Sequence, residues 1–170
     1  MRSLRRLLWP ALALLTGCGE SKRDAAAEEA AAVRLAQQAV QGDYGLIDAR
    51  SLADLVLSQS DMVLLDVRPR EAFRKAHILG ATNLPFPAEP MLEEWDPRRM
   101  DGLSAEQFAT RLSKDPEMRI VVYSEGLDCP RSHTAALWAR RLGFTNVHRC
   151  PGGLEAWTAA GNETRSIPGD

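Results

Sequence analysis

The sequence predicts an α/β fold: a doubly wound, mainly parallel five-stranded sheet with helices on both faces. Three observations predict it. Short apolar runs of strand length alternate with helical segments from Tyr44 to Ala160, and such alternation requires crossover connections and a mainly parallel sheet. Two of the runs, Met62-Val63-Leu64-Leu65 and Ile120-Val121-Val122-Tyr123, are apolar without interruption, as strands buried on both faces are. The helical segments also carry start and stop signals. Ser104 with Gln107 three residues later forms a capping-box pattern, and Gly143 stands where a helix should end.

Taken in order, Ala25 to Gln41 is rich in Ala, Glu and Gln and lacks Gly and Pro, which favours helix. Only Val33, Leu35 and Val40 are apolar residues larger than Ala there, too few for a wide buried stripe, so it is read as a spacer. Gly45-Leu46-Ile47 is a weak first strand, and Asp48 or Ser51 can cap the helix that follows to about Leu57. After the second strand, Pro69 allows a helix over Arg70 to Lys75. Gly80 to Leu84 is the third strand. Phe86 to Leu103, with Pro87, Pro90 and Pro97, is a long loop. Ser104 opens the helix to Lys114, and Ile120 to Tyr123 is the fourth strand. Ser132 is read as the cap of a helix to Leu142, Val147 to Arg149 as the fifth strand, and Leu154 to Ala160 as the last helix.

The N-terminus has a different character. Arg2, Arg5 and Arg6 precede the apolar run Leu7 to Leu15, the order found in a secretory signal. The run is far shorter than the ~20 residues that cross a bilayer. It ends in Leu15-Thr16-Gly17-Cys18, which resembles the lipobox of bacterial lipoproteins. That resemblance implies cleavage before Cys18, a diacylglyceryl group on its thiol and an acyl chain such as palmitate on the new N-terminus, a stable multi-chain anchor. An ordinary secretory signal ending near a cysteine is the alternative. Gly19 is not the aspartate that the resemblance associates with retention in the inner membrane. The expectation is therefore an exported protein anchored to a bacterial membrane, by default the periplasmic face of the outer one. The predicted divisions are 1–17 signal, 18–42 lipid-anchored tether and spacer helix, 43–165 the α/β domain and 166–170 a tail.

Composition is that of an ordinary globular chain, 45% hydrophobic and 26% charged. Cleavage would remove three of the 21 basic residues and leave 18 against 23 acidic, a formal charge of −5. Nucleic acid is therefore not expected as a partner.

Two blocks carry a further likeness. The first is Leu64-Leu65-Asp66-Val67-Arg68-Pro69, then Glu71, Phe73 and His77-Ile78-Leu79-Gly80-Ala81-Thr82-Asn83-Leu84-Pro85. The second is Val121-Val122-Tyr123, a loop, Arg131-Ser132, Ala135-Ala136-Leu137, Leu142-Gly143-Phe144, Asn146-Val147 and Gly152-Gly153-Leu154-Glu155-Ala156-Trp157. In this order and spacing the chain resembles the rhodanese-like family over about Tyr44 to Ala160. The resemblance implies a sulfurtransferase-type domain, whose loop cysteine accepts sulfane sulfur from a small anionic donor. A strand leading through a loop into a helix N-terminus gathers N–H groups and the helix dipole there, which lowers a thiol's pKa.

That cysteine should follow Tyr123, where this chain has Ser124. Serine forms no persulfide, and the sequence sets no base beside it; His133 is read as a surface position. No Gly-x-Ser-x-Gly pattern is present, which argues against a serine hydrolase. The loop and anion-binding candidates are Glu125, Gly126, Leu127, Asp128, Pro130, Arg131 and Ser132, with Arg68. The loop spans eight positions to Ser132 against six in the common family loop, a length that also resembles phosphatases sharing the fold, which need the cysteine too. Cys129 lies within it, where the same field could activate it.

Cys150 follows the fifth strand at the same sheet edge. Cys129 and Cys150 are read as a structural disulfide, as two unrelated thiols, or as a nucleophile with its resolving partner. The resemblance suggests that Asp66 holds loop backbone and that Arg68 supplies positive field or an ion pair, and both are read as structural. Arg131 and Arg149 could attract an anion, Arg149 alternatively being a solvated surface residue. His77 is read as structural, Trp138 and Trp157 as packing. The two histidines His77 and His133 lack metal-ligand spacing, so no metal and no cofactor is expected. Three classes stay open: an anion, sulfur-species or partner-binding module with little or no turnover; a sulfurtransferase working through Cys129; and a redox or structural disulfide protein. The expected partners are the bilayer through Cys18 and a small sulfur-containing anion or a periplasmic protein.

Overall fold

The computed structural model describes residues 17–168, with side chains from residue 25. The predicted signal, apart from Gly17, and the side chain of Cys18 lie outside the described residues. No helix among the described residues is long and apolar enough to cross a membrane. The chain divides into two units, one ending at Val33 and one running from Arg34. Helix α1 spans Gly17–Gly42, so its last turns belong to the second unit, which carries the whole sheet.

The second unit continues with β1 (Gly45–Leu46), α2 (Ala49–Leu57), β2 (Val63–Asp66), α3 (Arg70–Lys75) and β3 (Thr82–Asn83). A 3-10 turn (Pro97–Met100), α4 (Ala105–Leu112), β4 (Ile120–Tyr123), α5 (Arg131–Arg141), β5 (Val147–Cys150) and α6 (Gly153–Ala159) complete it. The sheet has five strands in the order β1-β5-β4-β2-β3, every pair parallel. The fold class is the one the sequence predicts. The outer strands are shorter than expected, two residues each, because only the central three have partners on both sides.

Local signals explain the element ends. The Asp48 carboxylate accepts from the Ser51 N–H at the start of α2, and the Ser104–Gln107 capping box closes reciprocally on α4. Ser132 does not cap α5. Pro130 holds the cap position and Ser132 is an interior residue of the first turn.

Strand alternation divides the core into two clusters. Leu64, Val121, Tyr123 and Cys150 face one way, against Leu52, Ile78 and Trp157. Leu65 and Val122 face the other, against Tyr44, Phe86, Phe108, Ala135 and Ala136. The proline-rich loop is tied down on this second face. Phe86, Trp95, Phe108 and Trp138 form a chain of aromatic contacts with centroids 5.3–5.9 Å apart. The Trp95 and Trp138 indole N–H groups donate to the Leu103 and Met91 carbonyls.

Candidate functional site

Because the strands are parallel, β2, β4 and β5 all end at one edge, and the β4–α5 loop, residues 124–130, crosses it. The loop is held from below by α6. The N–H groups of Leu154 and Glu155 donate to the Ser124 and Glu125 carbonyls, both at 2.9 Å. Gly153 makes this approach possible: its φ is +56° and a Cβ there would lie 2.6 Å from the Glu125 oxygen and closer still to that of Ser124. The first backbone bond of α5 runs from Thr134 N–H to the Pro130 carbonyl. The N–H groups of Arg131, Ser132 and His133 are thus left at the helix start, by the loop.

Ser124 is fully buried. Its hydroxyl donates to Ser132 Oγ at 3.1 Å, and neither Tyr44 nor His133 is its partner. Ser132 Oγ also accepts from Arg149 Nε at 2.9 Å. Arg149 is not solvated: it is 1% exposed, on the face of β5 opposite Cys150. Its other nitrogens donate to Gln38 Oε1 at 2.6 Å and to the Cys129 carbonyl at 3.4 Å. Among the described residues no carboxylate pairs with it. A buried guanidinium satisfied only by neutral acceptors keeps its charge uncompensated.

His133 is also buried, at 3% exposure, and not on the surface. Its Nδ1 lies 2.7 Å from the Tyr44 hydroxyl. Burial, aided by the Arg149 charge, pushes its pKa down to about 4, so it is neutral near pH 7.

Cys129 lies half-buried at the outer end of the loop. Its thiol donates to Glu125 Oε2 at 2.9 Å, and Arg131 Nη1 lies 3.6 Å from the sulfur. Arg131 also pairs with Glu125 Oε1 at 3.1 Å and donates to the Phe86 carbonyl. Leu127 and Asp128 are exposed, and Asp128 pairs with Arg34 of α1 at 3.3 Å. Gly126 is buried under Glu155, whose carboxylate fills the space a side chain would need.

The structure does not bring Cys129 and Cys150 together. Both are free thiols. Cys150 turns into the apolar cluster with Leu52 and Trp157, where burial pushes its thiol up to about 11. Asp66 and Arg68 form a buried ion pair, with Arg68 Nη2 2.7 Å from Asp66 Oδ2. Arg68 also donates to the Ala76 carbonyl, so the pair ties β2 to the end of α3. His77 bonds the Phe73 carbonyl through Nδ1 at 2.9 Å, a structural contact. Among the described residues no group of His, Cys, Asp and Glu is arranged to hold a metal.

Sequence reading missed Gln38, Arg34 and Tyr44 as parts of this site. For Arg149 a signal was present. It stands two residues from Val147, and period-two alternation puts both on one face.

The model of the rhodanese-like domain matches residues 48–160. Thiosulfate sulfurtransferase GlpE of Pseudomonas entomophila is 29% identical over 115 residues, 64% of this chain and 87% of that protein. The adenylyltransferase and sulfurtransferase UBA4 of Candida albicans is 28% identical over 116 residues, 66% of this chain. This chain spans only 23% of that relative's length. Among solved structures, the Alr3790 protein of Anabaena sp. superposes with a TM-score of 0.55 at 28% identity, over 71% of this chain and 92% of that one.

Proposed function

The chain belongs to the rhodanese-like domain family, and from that premise we propose that it is a binding module for a small sulfur-containing anion, without sulfur transfer at Ser124. The buried, uncompensated Arg149 carries this reading. Its guanidinium donates to Ser132, in the first turn of α5, and to the Cys129 carbonyl of the loop. Ser124 supplies no alternative nucleophile, because its hydroxyl is buried and spent on Ser132. Isothermal titration with thiosulfate, sulfite and sulfate tests the reading. Binding that weakens with salt and is lost in Arg149→Gln supports it, and no heat with any of the three refutes it.

A second reading, sulfur transfer through Cys129, is favoured by one observation: the thiol lies between a carboxylate that can take its proton and a guanidinium that can hold the resulting charge. Thiosulfate-to-cyanide transfer that is abolished by Cys129→Ala would establish it. The proposed setting is an exported chain anchored through Cys18, supported by Leu15-Thr16-Gly17-Cys18 behind a basic and apolar N-terminus. Membrane recovery of the wild-type chain and release of Cys18→Ser into the soluble fraction would test the anchor.

A further inference from the structure

The end of α1 reaches the loop once directly and once through Arg149 of β5. Arg34 pairs with Asp128, and Gln38 accepts from the buried Arg149 guanidinium at 2.6 Å, a short charge-assisted bond. The inward stripe of this part of the helix is Leu35, Gln38, Ala39 and Gly42, at helical spacing. Only Leu35 among them offers a large apolar side chain, and Val40 is 83% exposed. Hydrophobic burial therefore contributes little to seating these turns, and the shielded bond from Arg149 to Gln38 is their main tie, the exposed Arg34–Asp128 pair adding little. An element seated this way sits at the low end of local stability.

We propose that Gln38 is a positioning residue that couples α1 to the loop through Arg149. The coupling rests on the anion-binding reading above. Gln38 fixes one guanidinium nitrogen while staying neutral. The remaining two nitrogens are thereby aimed at Ser132 and the loop, and the positive charge is left for a bound anion. Seating of α1 and occupation of the loop are then linked, and each favours the other by the same factor. The helix that leads to the proposed anchor becomes a strap on the binding loop.

The test uses the full chain and two readouts, amide hydrogen exchange and thiosulfate titration. Gln38→Leu should speed exchange across residues 124–130 and weaken thiosulfate about fivefold or more. Gln38→Glu should keep the loop protected, because its carboxylate still accepts from Arg149, yet lose thiosulfate more completely than Gln38→Leu, because it neutralises the charge. A merely structural role would not separate protection from affinity in this way. Arg34→Ala, at an exposed pair that does not endanger folding, should speed exchange in the loop and the last turns of α1, by less than Gln38→Leu does. Unchanged loop exchange in both Gln38→Leu and Arg34→Ala overturns the coupling. If the wild-type chain binds no thiosulfate while exchange responds as stated, the strap stands and the anion reading fails.

Discussion

Ser124→Cys places a thiol two hydrogen bonds from the Arg149 guanidinium. The bonds are 3.1 Å to Ser132 and 2.9 Å onward to Arg149, so the charge lies within about 6 Å. At an effective dielectric of ~20, that attraction is worth about 3 kcal/mol to a thiolate, or roughly two pH units of thiol acidity. Burial opposes it. Cys150, on the other face of β5, shows the size of that opposition, its thiol being pushed up to about 11 by burial first of all. The Arg149 charge also lowers Cys150, but from the opposite face of β5, so the introduced thiol should titrate below Cys150. The lost Ser124 bond costs about 1 kcal/mol, and Ser132 keeps its bond from Arg149, so the variant should fold. The ultraviolet absorbance of the thiolate, followed against pH as a difference from wild type, needs no reagent to enter the buried site. Adding Arg149→Gln should raise the introduced thiol by more than it raises Cys150, which the same charge also lowers. A thiol that titrates with Cys150, or that ignores Arg149→Gln, would refute the claim that this charge reaches the loop.

Other perturbations test the frame around it. Asp66→Asn leaves the buried Arg68 without its carboxylate and should cost about 3–5 kcal/mol in urea unfolding; a loss below about 1 kcal/mol would contradict a structural pair. His133 titrates at about 4 in the folded chain against an ordinary 6.5, so the unfolded chain takes up the proton first. Stability that is full above pH 6.5 should then fall as pH drops from about 6.5 to about 4, by up to about 3 kcal/mol, and His133→Gln should flatten that slope in unfolding curves across the window. Gly153→Ala combines a positive φ with a clash against the Ser124 and Glu125 carbonyls. It should destabilise by about 2 kcal/mol or more, with the loss read as a lower melting temperature and faster exchange in the loop.

Much of the frame was legible in the sequence because its signals are local. The runs 62–65 and 120–123, the Ser104 capping box and the glycine after Leu142 act over a few residues, and they hold in the structure. The site was legible in part. Ser124 and the position of the loop followed from Tyr123 and Arg131, but the environment of each side chain did not. Ser132 looks like a cap until Pro130 is seen to take that place. His133 looks exposed until Tyr44, 89 residues away in sequence, covers it. Gln38 lies in a segment whose composition reads as a spacer, and its partner is 111 residues distant. Contacts of that separation are made by the crossovers of the sheet, and no short window of sequence carries them.

Ser124 and the uncompensated charge of Arg149 are linked. In a domain with cysteine after β4, a thiolate or persulfide would place a negative charge in the loop. A buried arginine behind it would then be balanced from within the chain. Serine is neutral, so the charge of Arg149 has no internal partner here, and Ser132, Gln38 and the Cys129 carbonyl satisfy its hydrogen bonds without cancelling it. A buried cation in this state gains from any anion that reaches the loop, and it gains most when the anion is small enough to meet the N–H groups of Arg131, Ser132 and His133 together. An introduced thiolate at position 124 would compete with that anion for the same charge. Ser124→Cys should therefore bind thiosulfate more weakly than wild type at a pH where its thiol is ionised, and equally well where it is not. Ser124→Ala, which changes no charge, should show no such pH dependence.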